Sequence, residues 1–502
     1  MIVKLLYKFR AIQILFASRD VAYSLGITAH MVIIMGTQYF EGREHRYIDY
    51  PISEVLQMLG YAYEPNQDGI SKAILMVPAV KKDYYKKFLS EALPIESHLQ
   101  IFTHDAFVTE IATSTIENKQ EAVDWLTWSY MYRRLVANPG FYGLQDISHE
   151  SLSSYLSDLV ETTLNDLMDK KIISIEDDFY VTPLNLAMIA SYYNLTYVTI
   201  ETMALSLTSK TKMKGLLEVV TAAAEFETIP IRKYEDVVLR RIYERVPVKL
   251  QNQDFDSPSF KAFILLQAHF SRFQLPTDLV ADQTLILQKI MNLLSACVDV
   301  MSSEGYLNSS YPMELSQMCV QAVWDRDSPL KQIPHFTENI IKKCIDAGLE
   351  SVYDLGEFLA DASEDSRNKL LEMDPKKMRD VANFINNYPS IDISFELEDP
   401  SSIVVGNQTF INITLTKEME ETNTLVCAPF FPIPKNEHWW VIIGDESSLL
   451  AIKKVTLQKT LSIRLEFIPP NVGKHEYTLS CFSDSYIGVD QDIKMDIVVA
   501  ER

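Results

Sequence analysis

The chain has 502 residues, 47% hydrophobic and 23% charged, with 46 Lys and Arg against 68 Asp and Glu for a formal net charge of −22. That length calls for three or more domains, because a single core stops growing at roughly 250 to 300 residues. The acidic balance has the wrong sign for a protein whose main work is gripping phosphates.

The five cysteines, Cys297, Cys319, Cys344, Cys427 and Cys481, are scattered with no CxxC spacing. They suit a reducing compartment and argue against a disulfide framework or a zinc site. Lys4, Lys8, Arg10 and Gln13 interrupt the apolar N-terminus too often for a signal peptide. No stretch approaches the roughly 18 continuous apolar residues of a membrane span. The expectation is a soluble intracellular protein without membrane association.

In chain order, the apolar runs at 12–18, 31–35 and 72–78 have the composition of strands buried on both faces. A helical segment separates the second from the third, and this alternation predicts the end of a parallel α/β domain. Segment 118–138 has helical spacing through Val123, Leu126, Tyr130 and Leu135, and Ser148 to Asp169 predicts a second helix. Residues 171–183 predict a hairpin around Glu176, Asp177 and Asp178, so the group predicts a winged helix. Acidic residues at the wing tip repel phosphate, which favours a packing module over a nucleic-acid reader.

From Pro183 to about Ser328 the pattern predicts a bundle of seven helices, near 187–194, 198–206, 213–224, 235–246, 259–273, 279–302 and 313–325. Its most basic ground holds Lys210, Lys212, Lys214, Arg240 and Arg241, candidates for weak RNA contact. Glu225, Glu227, Glu235, Asp236 and Glu244 interleave with these cations, as on a solvated mixed-charge face. Residues 329–390 predict a helix-hairpin-helix, with Thr337, Asn339 and Gly348 as start and stop signals and His335 packed inside. From Ile391 the period becomes alternating, which predicts an antiparallel immunoglobulin-like β-sandwich. Trp439 and Trp440 are candidate partner contacts, because alternation sends one ring into the core and its neighbour outward.

The run Gln57 to Pro65 can be read as an amphipathic helix ending at Gly60 and Pro65. It also resembles the sixth motif of superfamily-two helicases, Gln-x-x-Gly-Arg-x-Gly-Arg, whose arginines face the nucleotide. Gln57 and Gly60 are kept, whereas Tyr61 and Glu64 stand where the arginines are expected. Such an arginine is typically worth about a thousandfold or more in rate, and neither tyrosine nor glutamate supplies a cationic fork. Residues 17–38 resemble the fifth motif, keeping Ala22, Ala29 and His30 but carrying Tyr23, Ser24, Gly26 and Thr28 in place of Trp, Gly, Asn and Pro. No phosphate loop, Asp-Glu-x-His pair, nucleophile elbow or metalloprotease motif occurs.

The order of parts resembles the second helicase cassette of the large spliceosomal RNA helicases of the U-five small nuclear ribonucleoprotein. The resemblance covers essentially the whole chain and is carried most strongly by Glu117 to Asp124, Pro183 to Ala190, Gln332 to Phe336, Trp439 to Asp445 and Ser483 to Gln491. It implies a multidomain fold: a partial second RecA-like domain over 1–105, a winged helix over 106–182, a helical bundle over 183–328, a helix-hairpin-helix over 329–390 and the sandwich over 391–502.

The resemblance further implies a non-catalytic pseudo-helicase module, part of a longer ATP-dependent RNA helicase that unwinds the paired U-four and U-six RNAs. The implied module holds no cofactor of its own, the parent using ATP and magnesium. Its implied partners are spliceosomal proteins, among them the large U-five scaffold protein, and the active N-terminal cassette, with weak or no direct RNA binding, in the nucleus. The alternatives are part of an active RNA translocase, or a related helicase of ribosome rescue or DNA-alkylation repair.

Overall fold

The computed structural model describes residues 2–21, 23–42, 45–63, 70–90, 95–398, 403–418, 425–445 and 447–501. The chain divides into two compact units, 1–96 with 230–236, and 97–229 with 237–502.

The first unit contains α1 (Ile2–Lys8), β1 (Met31–Ile34), β2 (Gln38–Glu41), β3 (Arg46–Asp49), α2 (Ile52–Gly60), β4 (Lys72–Leu75) and α3 (Lys82–Ser90). β1 and β4 pair in parallel, from Met31 opposite Lys72 to Ile34 opposite Leu75. Ile34, Val55 and Tyr85 form a small core between this pair and the helices. The two later apolar runs are therefore strands of a βαβ unit, but they are not buried on both faces as expected: Met31, Ile33 and Ile74 are 44%, 47% and 41% exposed. The run at 12–18 is not a strand: Ile14 and Phe16 are 75% and 85% exposed. A strand needs a ladder partner and a covered face, and this run has neither among the described residues.

The hairpin β2–β3 has no counterpart among the sequence expectations. Gln38 lies opposite Asp49 and Glu41 opposite Arg46, with the rings of Phe40 and Tyr47 5.5 Å apart. Gly42 sits at its turn because a Cβ there would come within 2.3 Å of the Ile231 carbonyl oxygen.

The second unit begins with α4 (Leu99–Ala112), α5 (Lys119–Thr127), α6 (Tyr130–Ala137) and α7 (His149–Asp169), followed by the hairpin β5 (Ile173–Glu176) and β6 (Tyr180–Pro183). The expected boundary at 105/106 falls inside α4. Segment 118–138 is two helices because Ser129 starts a new one, its hydroxyl accepting from the Tyr132 amide. Asp177 and Asp178 both take left-handed φ of 52°, a conformation that short polar side chains tolerate and that matches hairpin twist.

Seven helices follow where periodicity placed them: α8 (Asn185–Tyr193), α9 (Tyr197–Ser206), α10 (Met213–Thr221), α11 (Glu235–Arg245), α12 (Pro258–Phe270), α13 (Thr277–Ser303) and α14 (Ser310–Gln321). α13 is long and apolar enough to cross a membrane, but 61% of its most apolar window is buried within the protein. It packs against α8, α12 and α14. One apolar cluster runs continuously from Phe107 of α4 to Trp324 beyond α14.

Residues 329–390 hold four short helices: α15 (Glu338–Asp346), α16 (Val352–Asp361), α17 (Glu364–Leu371) and α18 (Pro375–Asn386). α15 stops before Gly348 at φ 81°, and Ser351 with Asp354 forms a capping box on α16. His335 is not packed inside, as expected, but exposed, with Nε2 2.8 Å from Asp380 Oδ2. Its left-handed φ of 65° turns the ring away from the apolar contacts of its neighbours Ile333 and Phe336.

The C-terminal strands are β7 (Ile391–Leu397), β8 (Thr409–Lys417), β9 (Trp439–Gly444), β10 (Leu449–Val455), β11 (Thr460–Phe467), β12 (Gly473–Ser483) and β13 (Gln491–Val499). They form two antiparallel sheets, ordered β10-β9-β12-β13 and β11-β8-β7. Apolar residues of both sheets share one cluster with residues of α15, α16 and α18.

Candidate functional site

The run that resembles the sixth helicase motif lies on α2. Val55 anchors that helix in the small core, leaving Gln57 and Gly60 exposed, while Tyr61 is the half-buried C-terminal cap. The Tyr61 carbonyl accepts from the Ala29 amide at 2.9 Å, tying the end of this run to the segment 17–38 that resembles the fifth motif. Glu64 and Pro65 lie outside the described residues, as does Ala22.

The same ground holds a contact that motif reading missed. Arg19 forks onto Glu54 of α2, Nε to Oε2 at 2.6 Å and Nη2 to Oε1 at 2.8 Å. Its guanidinium carbon lies 3.6 Å from the Tyr39 ring centroid. The bond to Glu54 pushes the guanidinium pKa further up. This arginine is engaged by a carboxylate and an aromatic face.

The bundle cations separate into two groups. Lys210 and Lys212 line an open cleft of about 540 Å³ with Thr202, Ser206, Thr208 and Glu218. Asn308 fixes the loop above it by donating to the carbonyls of Thr208 and Thr211, each at 2.9 Å. Lys214 is exposed on α10 but does not line the cleft. Arg240 and Arg241 are exposed on α11, where the Arg240 guanidinium stands 4.2 Å over the Phe255 ring. No group of three or more His, Cys, Asp or Glu is placed to hold a metal among the described residues.

The tryptophans are not partner contacts. Both are 1% exposed, because β9 is buried along its whole length on both faces. Trp439 points into the core shared by the two sheets and donates through Nε1 to Glu437 at 2.6 Å. Trp440 points out of that layer, as alternation requires, but onto Val298 of α13 and Met313 of α14. The helices of the same chain cover the face that was expected to meet a partner.

A polar joint nearby also escaped sequence reading. Gln317 and Gln321 of α14 donate to the carbonyls of Ser483 and Ser485, and Gln332 donates to that of Ile487, each at 2.8 Å. Tyr388, just beyond α18, donates to the Ile487 carbonyl at 2.6 Å. The loop between β12 and β13 is thus gripped from α14, from the segment before α15 and from the end of α18. Its unusual string Ser483 to Gln491 was the only advance signal.

Residues 183–496 match the Sec63 Brl domain. The chain belongs to the Sec63 Brl domain family. Preceding that Sec63 Brl span, residues 96–177 match a winged helix-turn-helix domain, which agrees with α4 to β5. The whole chain is similar to the large U-five helicases. It is 56% identical over 505 residues to pre-mRNA-splicing factor brr2 of Schizosaccharomyces pombe, covering 100% of this chain and 23% of that protein. It is 48% identical over 503 residues to the human U5 small nuclear ribonucleoprotein 200 kDa helicase, again covering 100% and 23%. A third relative, DExH-box ATP-dependent RNA helicase DExH12 of Arabidopsis thaliana, is 43% identical over 507 residues, covering 99% and 23%. The chain therefore spans under a quarter of the length of these relatives. The Sec63 Brl part holds the cleft of Lys210 and Lys212, the tryptophans and the gripped loop, whereas Gln57 to Tyr61 precede both matched domains.

Proposed function

We propose that this chain is the C-terminal, non-catalytic helicase cassette portion of a spliceosomal RNA helicase, serving pre-mRNA splicing in the nucleus as a protein-interaction and regulatory platform. Identity of 56% with a pre-mRNA-splicing factor and of 48% with a U5 small nuclear ribonucleoprotein helicase over the whole chain supports the splicing assignment. The observation that carries the non-catalytic reading is Tyr61 at the end of α2, where the motif calls for an arginine. A phenol cannot neutralise charge developing on a phosphoryl group.

The α/β unit is the remnant of a RecA-like domain in this reading, and the two C-terminal sheets are an immunoglobulin-like sandwich. The module binds no nucleotide or magnesium of its own; ATP chemistry belongs to the active cassette. Its partners are spliceosomal proteins, including the large U-five scaffold protein, and the active N-terminal cassette. RNA contact is weak and confined to the cleft of Lys210 and Lys212.

The test is RNA-stimulated ATP turnover of the complete cassette that contains this chain. Turnover indistinguishable from background is expected, and turnover like that of a working helicase would remove the non-catalytic reading. Recovery from nuclear extract tests the assignment separately. U-five proteins are expected, and ribosomes or alkylation-repair factors in their place would overturn it.

A further inference from the structure

β7 is the outer strand of its sheet, paired among the described residues only with β8. The register identifies which of its main-chain groups remain. At the two ends of the pair, the Glu398 amide donates to the Phe410 carbonyl at 3.2 Å and the Glu418 amide to the Ser390 carbonyl at 3.0 Å. In an antiparallel ladder the hydrogen-bonded positions alternate. The even-numbered residues of β7 therefore bond to β8, and the N–H and C=O groups of Ile393, Phe395 and Leu397 point off the open edge.

This edge lacks the lysine, proline and bulge that commonly guard an edge strand. Its sequence, Ile-Asp-Ile-Ser-Phe-Glu-Leu, contains neither lysine nor proline, and the register runs from Ile391–Lys417 to Leu397–Ile411 without a bulge. Proteins ordinarily blunt such an edge, because its unpaired groups template another strand. Phe395 stands at its middle, 37% exposed although its neighbours Ile393 and Leu397 belong to the core side. On the opposite face Asp392 and Glu396 are exposed and form no ion pair with any described cation. Glu398 differs, since Arg464 already holds it at 2.7 Å.

We propose that the open edge of β7 is a docking site for an extended basic segment of a partner protein, which adds a fourth strand beside Ile393, Phe395 and Leu397. Main-chain bonds to those three residues supply the register. An apolar side chain of the incoming strand covers Phe395, and lysines or arginines on its other face meet Asp392 and Glu396. Opposite charges across neighbouring strands favour this pairing over an acidic or neutral segment. The inference is independent of whether the chain hydrolyses ATP.

The probe is a synthetic peptide of about eight residues alternating valine and lysine, long enough to cover one typical strand, with an alternating valine and glutamate peptide as its counterpart. Amide hydrogen exchange of the full chain is followed as each peptide is added. The lysine peptide is expected to slow exchange at Ile393, Phe395 and Leu397, and the glutamate peptide to leave them unchanged. F395P removes an amide that points away from β8, a position where an edge strand accepts proline, and should abolish binding. The double variant D392K/E396K keeps the main chain and should reverse the preference between the peptides. The proposal is overturned if neither peptide protects these amides, if both protect them equally, or if they become protected with rising protein concentration alone, which would make a second copy the occupant.

Discussion

Lys454 Nζ stands 4.6 Å over the ring of Trp440, with β10 carrying the cation and β9 the indole. The same ammonium donates to Ser295 Oγ of α13 at 2.9 Å. One lysine thus stitches the outer face of the four-stranded sheet to the longest helix of the bundle, above a ring already closed in by Val298 and Met313. A large indole buried between two layers is a stability element. W440A should cost about 3 to 5 kcal/mol, the range for emptying a tryptophan site in a core. Denaturant unfolding of the chain checks this. A variant of near-native stability with weakened partner binding would show that the ring is an exposed anchor after all.

Lys417 and Glu437 form a second buried charge contact, 2.8 Å apart, with both side chains 3% exposed. Glu437 is also the acceptor for Trp439 Nε1. Removing one partner leaves an uncompensated charge in the sheet layer, whereas removing both leaves none. K417M alone should therefore destabilise by about 3 to 5 kcal/mol. The double variant K417M/E437Q should recover much of that loss, and a double-mutant cycle by chemical denaturation measures the difference.

His269 of α12 is buried and within 2.7 Å of the Cys319 carbonyl oxygen through Nε2. Burial lowers its pKa from 6.5 to about 4. The folded state thus prefers the neutral ring, so its contribution is full above pH 6.5 and is lost as pH falls through the window down to about 4. The two values bound that loss at roughly 3 kcal/mol. Glutamine can donate to the same carbonyl without titrating. H269Q should flatten the stability profile between pH 6.5 and 4 relative to the native chain, as read by melting temperature against pH.

For RNA the expectation is shallow salt dependence. If Lys210 and Lys212 make one phosphate contact each, the slope of log K against log salt is about −1.4 for single strands. The variant K210A/K212A should bring that slope near zero, whereas R240A/R241A should leave it within error, because Arg240 is engaged by Phe255 rather than gathered at the cleft. Fluorescence anisotropy over a salt series makes the measurement. A steep slope in the native chain would indicate a phosphate track along the bundle.

Much of this architecture was legible where a local period carried the signal. The apolar spacing through Leu152, Leu156, Leu159 and Leu164 marks α7 because one face of a helix must be covered, although Val160 is buried there and Leu159 only partly so. The strand β8 announces itself through Thr-Phe-Ile-Asn-Ile-Thr-Leu-Thr-Lys, with alternate residues buried. That Tyr61 offers no cationic group was equally plain, since a missing functional group is a property of the residue itself.

Other features depend on what lies opposite in space. Ile14 and Phe16 have strand composition but no ladder to join, and His335 has a packing environment that its left-handed backbone turns away from. Alternation correctly sent Trp439 and Trp440 to opposite faces. Whether the second face meets water, a partner or α13 and α14 is set by residues over a hundred positions away, which no local period can encode. The grip of Gln317, Gln321 and Gln332 on the Ser483 to Ile487 carbonyls has the same origin. Residue type and period specify each element and the chemistry it lacks; which face is covered, and by what, follows from distant segments competing to bury the same surface.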